Sequence, residues 1–278
     1  MKILVTGGTG FLGERLIEEL YEANPEDTIV TVARNEGKLV ALKERFPKLE
    51  IITGDIADRW TARKAMEDAS QVYHLSAYKH VGLAEQDVFQ CINSNIVGTI
   101  NIISESFRTN PDFVVGISTD KAAQVAGVYG ATKMLMERLF QEAERMNQET
   151  KYRVVRYGNV LYSTGSVLCK WKDKLEKNEE LVVTDENATR FFWTRDQAIN
   201  HIFDCLREAK DATPWVPEMK AIAIHDLLFA MCDKYGHAPL KMKEIGLQPG
   251  ENLHETMDGK VFSNQVEQYT IEEIKKLI

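Results

Sequence analysis

Lys2-Ile3-Leu4-Val5-Thr6-Gly7-Gly8-Thr9-Gly10-Phe11-Leu12-Gly13 lies at the start of the chain, and a helical pattern with Leu16, Ile17 and Leu20 follows it. Residues 2–6 read as a buried strand. Gly8, Gly10 and Gly13 fit G-x-G-x-x-G, and Gly7, Gly10 and Gly13 fit the related G-x-x-G-x-x-G. Strand, tight turn and helix start in succession bring backbone N–H groups and the positive end of a helix dipole to one point, where a pyrophosphate fits. Glycine is needed there because a side chain would break the turn or hold the phosphate off. Gly7, Thr9, Gly10, Phe11, Leu12 and Gly13 are therefore the expected contacts of a dinucleotide.

Outward from that turn, short β-rich runs alternate with longer helical patterns. The runs are Ile3–Thr6, Ile29–Ala33, Glu50–Thr53, Gln71–Leu75, Phe113–Ser118 and Arg153–Tyr157. Helical patterns fall at Arg15–Ala23, Arg63–Ala69, Ile96–Arg108 and Lys133–Asn147. Alternation at this pitch means βαβ units, hence an α/β fold with a doubly wound parallel sheet and its ligand at the carboxyl ends of the strands. After Tyr157 the rhythm changes to short strand-like pieces (Leu181–Thr184, Trp215–Pro217) and helices (Gln197–Glu208, Asp226–Lys234) joined by longer loops. The expected division is a nucleotide-binding Rossmann domain over 1–162 and a smaller substrate part over 163–278, partly interleaved with it.

The chain has 278 residues, with 34 Lys and Arg against 42 Asp and Glu and a net charge of −8. That balance argues against nucleic acid or an anionic membrane as partner, so an anionic substrate needs a local basic cluster. Cys91, Cys169, Cys205 and Cys232 show no C-x-x-C or Cys/His metal spacing and read as thiols of a reducing compartment. No apolar stretch reaches the ~20 residues that span a bilayer. With no signal peptide ahead of the first strand, a cytoplasmic protein is expected.

The second strand should end over the adenosine ribose, where an acid accepts from the 2′-OH of NAD and a base pairs with the 2′-phosphate of NADP. Arg34 and Asn35 stand there, with Lys38 a turn later. NADP is the expected cofactor; the alternative, in which Glu36 reaches the ribose of NAD, stays open. Asp55, in Gly54-Asp55-Ile56 after the third strand, is expected at the adenine edge.

Tyr129 and Lys133 are four residues apart at a helix start and so share a face. A cation beside a phenol stabilises the phenolate, and an opposite charge at that range shifts a pKa by about 1–3 units, which makes tyrosine a usable base. Upstream lies Ser118-Thr119-Asp120-Lys121-Ala122.

The chain resembles the extended short-chain dehydrogenase/reductases that act on nucleotide sugars, and within them the polysaccharide-biosynthesis branch of UDP-N-acetylglucosamine 4,6-dehydratases. The resemblance rests on the glycine turn and on ordered segments along most of the chain. These include His74-Leu75-Ser76-Ala77-Tyr78-Lys79-His80-Val81, Asn95-Ile96-Val97-Gly98, Ser118–Ala122, Tyr129-Gly130-Ala131-Thr132-Lys133 and Val155-Arg156-Tyr157-Gly158-Asn159-Val160. Further matches are Ser163-x-Gly165-Ser166-Val167, Thr189-Arg190-Phe191 and Pro249-Gly250-Glu251-x-Leu253-His254-Glu255.

The resemblance implies that Tyr129 takes the proton of the sugar 4-OH as hydride leaves C4 for NADP+. Lys121, its pKa lowered by burial, then removes the C5 proton, and a protonated Asp120 donates to the departing C6 hydroxyl. Thr119 and Lys133 complete the catalytic set. It also implies Ile56 and Ala77 on the cofactor. Lys79, His80, Asn159, Ser166, Val167, Arg190 and Glu251 fall to the substrate, with Arg190 on its diphosphate. Tyr129, where retaining and membrane-bound members carry methionine, implies C5 inversion. The resemblance further implies a homo-oligomer, and no metal is expected.

The chain departs from the relatives' Arg-Pro-Gly-Glu-Lys-Leu-His-Glu, with Gln248 and Asn252 in place of the two basic residues. Cys169 and Gly82 stand where prolines are usual; Lys170 or Lys172 is a candidate for the missing charge. Trp171 and Trp193 are candidate stacking residues, with core packing the simpler use. Two other functions remain open: a UDP-sugar 4-epimerase, which shares Tyr129 and Lys133 but has no use for an acid and base at C6 and C5, and a catalytically silent NADP-binding protein.

Overall fold

β1 (Lys2–Thr6) runs between β2 (Thr28–Ala33) and β4 (Gln71–His74), in a six-stranded parallel sheet that β3 (Glu50–Thr53), β5 (Phe113–Thr119) and β6 (Lys151–Tyr157) complete. The order is β3-β2-β1-β4-β5-β6, so the strand order reverses between β1 and β4. A computed structural model describes residues 1–235 and 241–278. Neighbouring residues of each strand alternate between two cores, as a parallel sheet covered on both faces requires. Ile3, Val5 and Ile29 meet Leu16, Ile17 and Leu20 of α1 (Phe11–Ala23). Leu4, Val30 and Val72 face the other way, onto α3 (Arg59–Met66), α6 (Gly98–Thr109) and α7 (Val128–Met146). This is the doubly wound α/β fold expected from the sequence.

Between these lie α2 (Glu36–Arg45), the short α4 (Val81–Gln86) and α5 (Val88–Ile92), and a π-helical segment, Asn93–Val97. Beyond β6 come β7 (Asn159–Val160), α8 (Val167–Glu176), β8 (Leu181–Val183), β9 (Thr189–Trp193), α9 (Arg195–Glu208), β10 (Ala221–Ala223), α10 (Ile224–Tyr235), β11 (Met242–Glu244) and α11 (Ile271–Leu277). A third core joins Leu168, Trp171 and Leu175 of α8 to Leu227 and Met231 of α10 and Ile274 of α11. α9 instead returns to the first core, where Ala198, Ile199 and Ile202 pack with the α1 residues. The chain after residue 162 thus contributes to both bodies.

Local chemistry moves several expected boundaries. The helix expected at Arg63–Ala69 begins at Arg59, because the Asp58 carboxylate accepts from Thr61 N at 2.8 Å and caps it. The helix expected from Lys133 already starts at Val128. Trp215–Pro217 is not a strand: Trp215 makes one isolated bridge to Val155, and Pro214 and Pro217 on either side stop it from growing. Among the described residues, no helix is long and apolar enough to cross a membrane.

Candidate active site

The glycine turn closes on itself between β1 and α1. Gly10 N donates to the Gly7 carbonyl at 2.9 Å, and Gly7 takes a positive φ of 71°. A Cβ on Gly13 would lie 2.4 Å from the Gly7 carbonyl oxygen and 2.7 Å from Gly8 Cα, so backbone packs directly on backbone. Gly10 caps α1 without any side-chain hydrogen bond, which leaves the first-turn N–H groups to a ligand.

A cavity of about 1240 Å³ runs from this turn across the carboxyl ends of the strands into the second half of the chain. Every residue assigned above to cofactor, substrate or catalysis lines it, except Asp120. Arg34 and Asp55 flank one end, with Arg34 Nη1 3.7 Å from Asp55 Oδ2 and the guanidinium more than half exposed. Asn35 turns away to cap α2, accepting from Lys38 N at 3.0 Å.

Ala77, Tyr78 and Lys79 are held by the π-helical segment. Asn95 Oδ1 accepts from Tyr78 N at 2.7 Å, and Asn95 Nδ2 donates to Tyr78 O at 3.1 Å and to Thr132 Oγ1 at 2.9 Å. One amide thereby fixes the loop after β4 against α7; single π turns of this kind gather at functional sites. His74 is buried and structural: Nδ1 contacts Thr6 Oγ1 at 2.9 Å and Nε2 contacts Thr99 Oγ1 at 3.2 Å. Burial, helped by the nearby Lys133 charge, lowers its pKa to about 3, so the ring is neutral.

Tyr129 and Lys133 share a face of α7, but the geometry alters the part expected of the lysine. Lys133 Nζ donates to the Ile117 carbonyl at 2.7 Å, and burial brings its pKa down to about 8. The cation that favours the Tyr129 phenolate is Lys121, yet burial dominates and pushes the phenol up to about 12. Lys121 departs from expectation as well. Burial acts to lower its pKa, but the carboxylates of Asp120 and Glu255, 3.0 and 3.4 Å from Nζ, outweigh that and the net shift is upward. Asp120 is fully buried beneath this pair. Its Oδ1 accepts from Thr119 Oγ1 at 2.8 Å and from Lys121, while Oδ2 has no partner among the described residues.

At the other end, Ser166 precedes α8 and Val167 opens it, again with no side-chain cap. Lys79 Nζ donates to the Thr164 carbonyl at 3.0 Å, and the His80 ring packs on Gly165. Asn159 Nδ2 reaches the Phe191 carbonyl at 3.3 Å. Arg190 lies on β9, its Nη1 donating to the Thr189 and Leu253 carbonyls at 2.9 and 2.8 Å. Glu251 Oε2 accepts from Gln248 N at 3.1 Å. Lys170 lines the cavity, whereas Lys172 faces Glu176 at 3.9 Å. Trp171 is buried at the cavity wall with Nε1 on the Val182 carbonyl at 3.0 Å; Trp193 packs away from it, against Tyr157 and His201. The four cysteines form no disulfide.

With this geometry in place, a family model described as polysaccharide biosynthesis protein matches residues 3–276. The chain belongs to the polysaccharide biosynthesis protein family. A protein of Methanocaldococcus jannaschii, described as an uncharacterized membrane protein, is 33% identical over 285 residues, covering 99% of this chain and 84% of that protein. The UDP-N-acetylglucosamine 4,6-dehydratase (inverting) of Campylobacter jejuni serotype O:2 is 33% identical over 260 residues, covering 92% and 76%. Among solved structures, Pen from Bacillus thuringiensis superposes with a TM-score of 0.93 at 28% identity, covering 100% of this chain and 96% of that one.

Two site residues of this family member were not singled out by the sequence. Glu85 on α4 accepts from Val128 N at 2.6 Å and so holds the start of the helix that carries Tyr129. Glu255, fully buried, faces both Lys121 and Arg190. Glu255 sits in the quoted Pro249–Glu255 motif, so its signal was present. Glu85 stands 43 residues from its partner and no motif includes it.

Proposed function

We propose that this chain is an enzyme that dehydrates UDP-N-acetylglucosamine across C5 and C6 after oxidation at C4, with inversion at C5 and NADP as cofactor. The observation that carries the reading is Lys121 beside Tyr129 in the cavity that also contains the glycine turn, with the fully buried Asp120 carboxylate 3.0 Å behind Lys121 Nζ. A 4-epimerase needs the tyrosine but has no use for that pair. The tight Gly7–Gly13 cradle and the uncapped start of α1 fit a dinucleotide pyrophosphate, and Arg34 at the end of β2 favours a 2′-phosphate over a free hydroxyl. Residues 1–162 would hold that cofactor and residues 163–278, with Lys79 and His80, the sugar nucleotide.

When bound, a nicotinamide nucleotide supplies the acceptor that takes hydride from C4 and gives it back at C6. The chain's own residues move protons. Tyr129 accepts the 4-OH proton as the phenolate, the form that Lys121 favours and burial opposes. Lys121 takes the C5 proton, which the C4 ketone has acidified, and Asp120 protonates the leaving C6 hydroxyl. That step needs a neutral amine and a protonated carboxyl, which together carry the same single proton as the resting ammonium–carboxylate pair. As hydride returns to C6, Lys121 delivers a solvent-exchanged proton to the opposite face of C5. Arg190 pairs with the diphosphate, and Asn159, Ser166, Val167 and Glu251 line the sugar end.

Incubation with UDP-N-acetylglucosamine and NADP+ in D2O, followed by proton NMR, tests the reading. A new C6 methyl group with deuterium at C5 is the expected product, and its coupling constants report the configuration at C5. A galacto-configured sugar with its C6 hydroxyl intact would replace the reading with epimerisation, and unchanged substrate would remove it.

A further inference from the structure

Glu255 has no part in the proton transfers described above, yet its carboxylate lies among the groups that perform them. The residue is fully buried, and its Oε1 accepts no hydrogen bond from the described residues. That oxygen stands 3.4 Å from Lys121 Nζ and 4.0 Å from Arg190 Nε. Among the described residues, Oε2 meets only a neutral donor, Asn252 Nδ2, at 3.3 Å. The backbone is locked on both sides, with Glu255 N donating to Ser263 Oγ at 3.0 Å and Ser263 N to the Glu255 carbonyl at 2.7 Å. A buried carboxylate oxygen without a hydrogen bond is costly unless nearby cations compensate it. Two cations are in range, and both belong to the site.

We propose that Glu255 is a positioning residue that shares the Lys121 ammonium with Asp120 and links it electrostatically to Arg190. The charged and titratable groups facing Lys121 are Asp120, Glu255, Arg190 and the Tyr129 phenol. Asp120 and Glu255 hold the proton on Nζ, while Arg190 opposes them, both directly and by offsetting Glu255. Whatever engages the Arg190 guanidinium therefore alters the balance at Lys121. The names given to the two ends, diphosphate and C5, rest on the dehydratase reading; the charge linkage does not.

Competitive acetylation of the full-length protein with acetic anhydride, read at Lys121 by mass spectrometry across neutral to alkaline pH, tests the linkage without substrate. Glu255→Gln is expected to lower the Lys121 midpoint by about 1–2 pH units, so that Lys121 reacts about 10–100-fold faster at a fixed pH below the midpoint. Glu255→Asp should keep a midpoint closer to the unsubstituted protein, and Arg190→Gln should raise it. Asn252→Lys, which brings a competing cation to Oε2 from the protein surface, should lower it and serves if Glu255→Gln fails to fold. An unchanged midpoint in folded Glu255→Gln or Asn252→Lys overturns the proposal, and an unchanged midpoint in Arg190→Gln breaks the link to that residue. The D2O experiment above fails or succeeds separately, so the two readings are distinguishable.

Discussion

Lys121 is the cation that favours the Tyr129 phenolate, while the Lys133 ammonium is directed at the Ile117 carbonyl. Spacing alone pairs Tyr129 with Lys133, since four residues along a helix put both on one face. The competing carbonyl belongs to the end of β5 and leaves no trace in that spacing. The Asp120–Lys121 contact, between adjacent residues, was by contrast legible. Asp120→Asn should lower dehydration by about 10²–10⁴-fold while leaving NADP affinity within about twofold, as measured by NMR turnover and fluorescence titration. Retained turnover would remove the acid role. Arg34→Ala should cut the preference for NADP over NAD by about tenfold, read as a ratio of dissociation constants. An unchanged ratio would return the ribose to Glu36 and the NAD alternative.

Among the elements, α7 starts on a contact from a distant part of the chain. Its Gly127 cap has no side chain to offer, and Glu85 of α4 supplies the acceptor for Val128 N instead. Glu85→Ala should cost about 1 kcal/mol in urea denaturation, in the range of a lost helix cap, and should lower kcat by misplacing Tyr129. A Cβ on Gly127 would lie 2.2 Å from Glu85 Oε1 and 2.7 Å from Gly250 Cα, so Gly127→Ala should show the same defect more severely. The six strands of the sheet were legible because each is an apolar run bounded by turn residues. α3 was misplaced because its start is set by the Asp58 cap rather than by apolar periodicity. Trp215–Pro217 looked like a strand because Trp215 and Val216 are bulky and apolar, yet Pro214 and Pro217 on either side limit it to one bridge.

For the molecule as a whole, His74 ties β1, β4 and α6 together through Thr6 and Thr99. The ring's pKa lies below its unfolded value, so below about 6.5 the unfolded chain binds a proton that the fold refuses, down to about 3. Stability attributable to this group is therefore complete above about pH 6.5 and declines by about 1.4 kcal/mol per unit as pH falls below it. Urea midpoints compared between His74→Gln and the unsubstituted protein should show a shallower acid slope in the variant; equal slopes would assign the loss to other groups. The glycine turn, Tyr129, Lys121 and Arg190 gather in one cavity because the turn follows β1, Lys121 follows β5, Tyr129 lies in the first turn of α7 and Arg190 lies on β9. How the tail residues Asn252 and Glu255 meet Gln124 and Lys121 depends on a fold-back of 128 and 134 residues that no local pattern encodes.

In the proposed reaction one hydride leaves C4 and returns to C6 of the same sugar. UDP-N-acetylglucosamine carrying deuterium at C4, turned over by the full-length protein with NADP+, follows that hydride by mass spectrometry and NMR. The label is expected in the C6 methyl group, as CH2D. Label retained at C4 of an epimerised sugar, or lost from the product altogether, would contradict it.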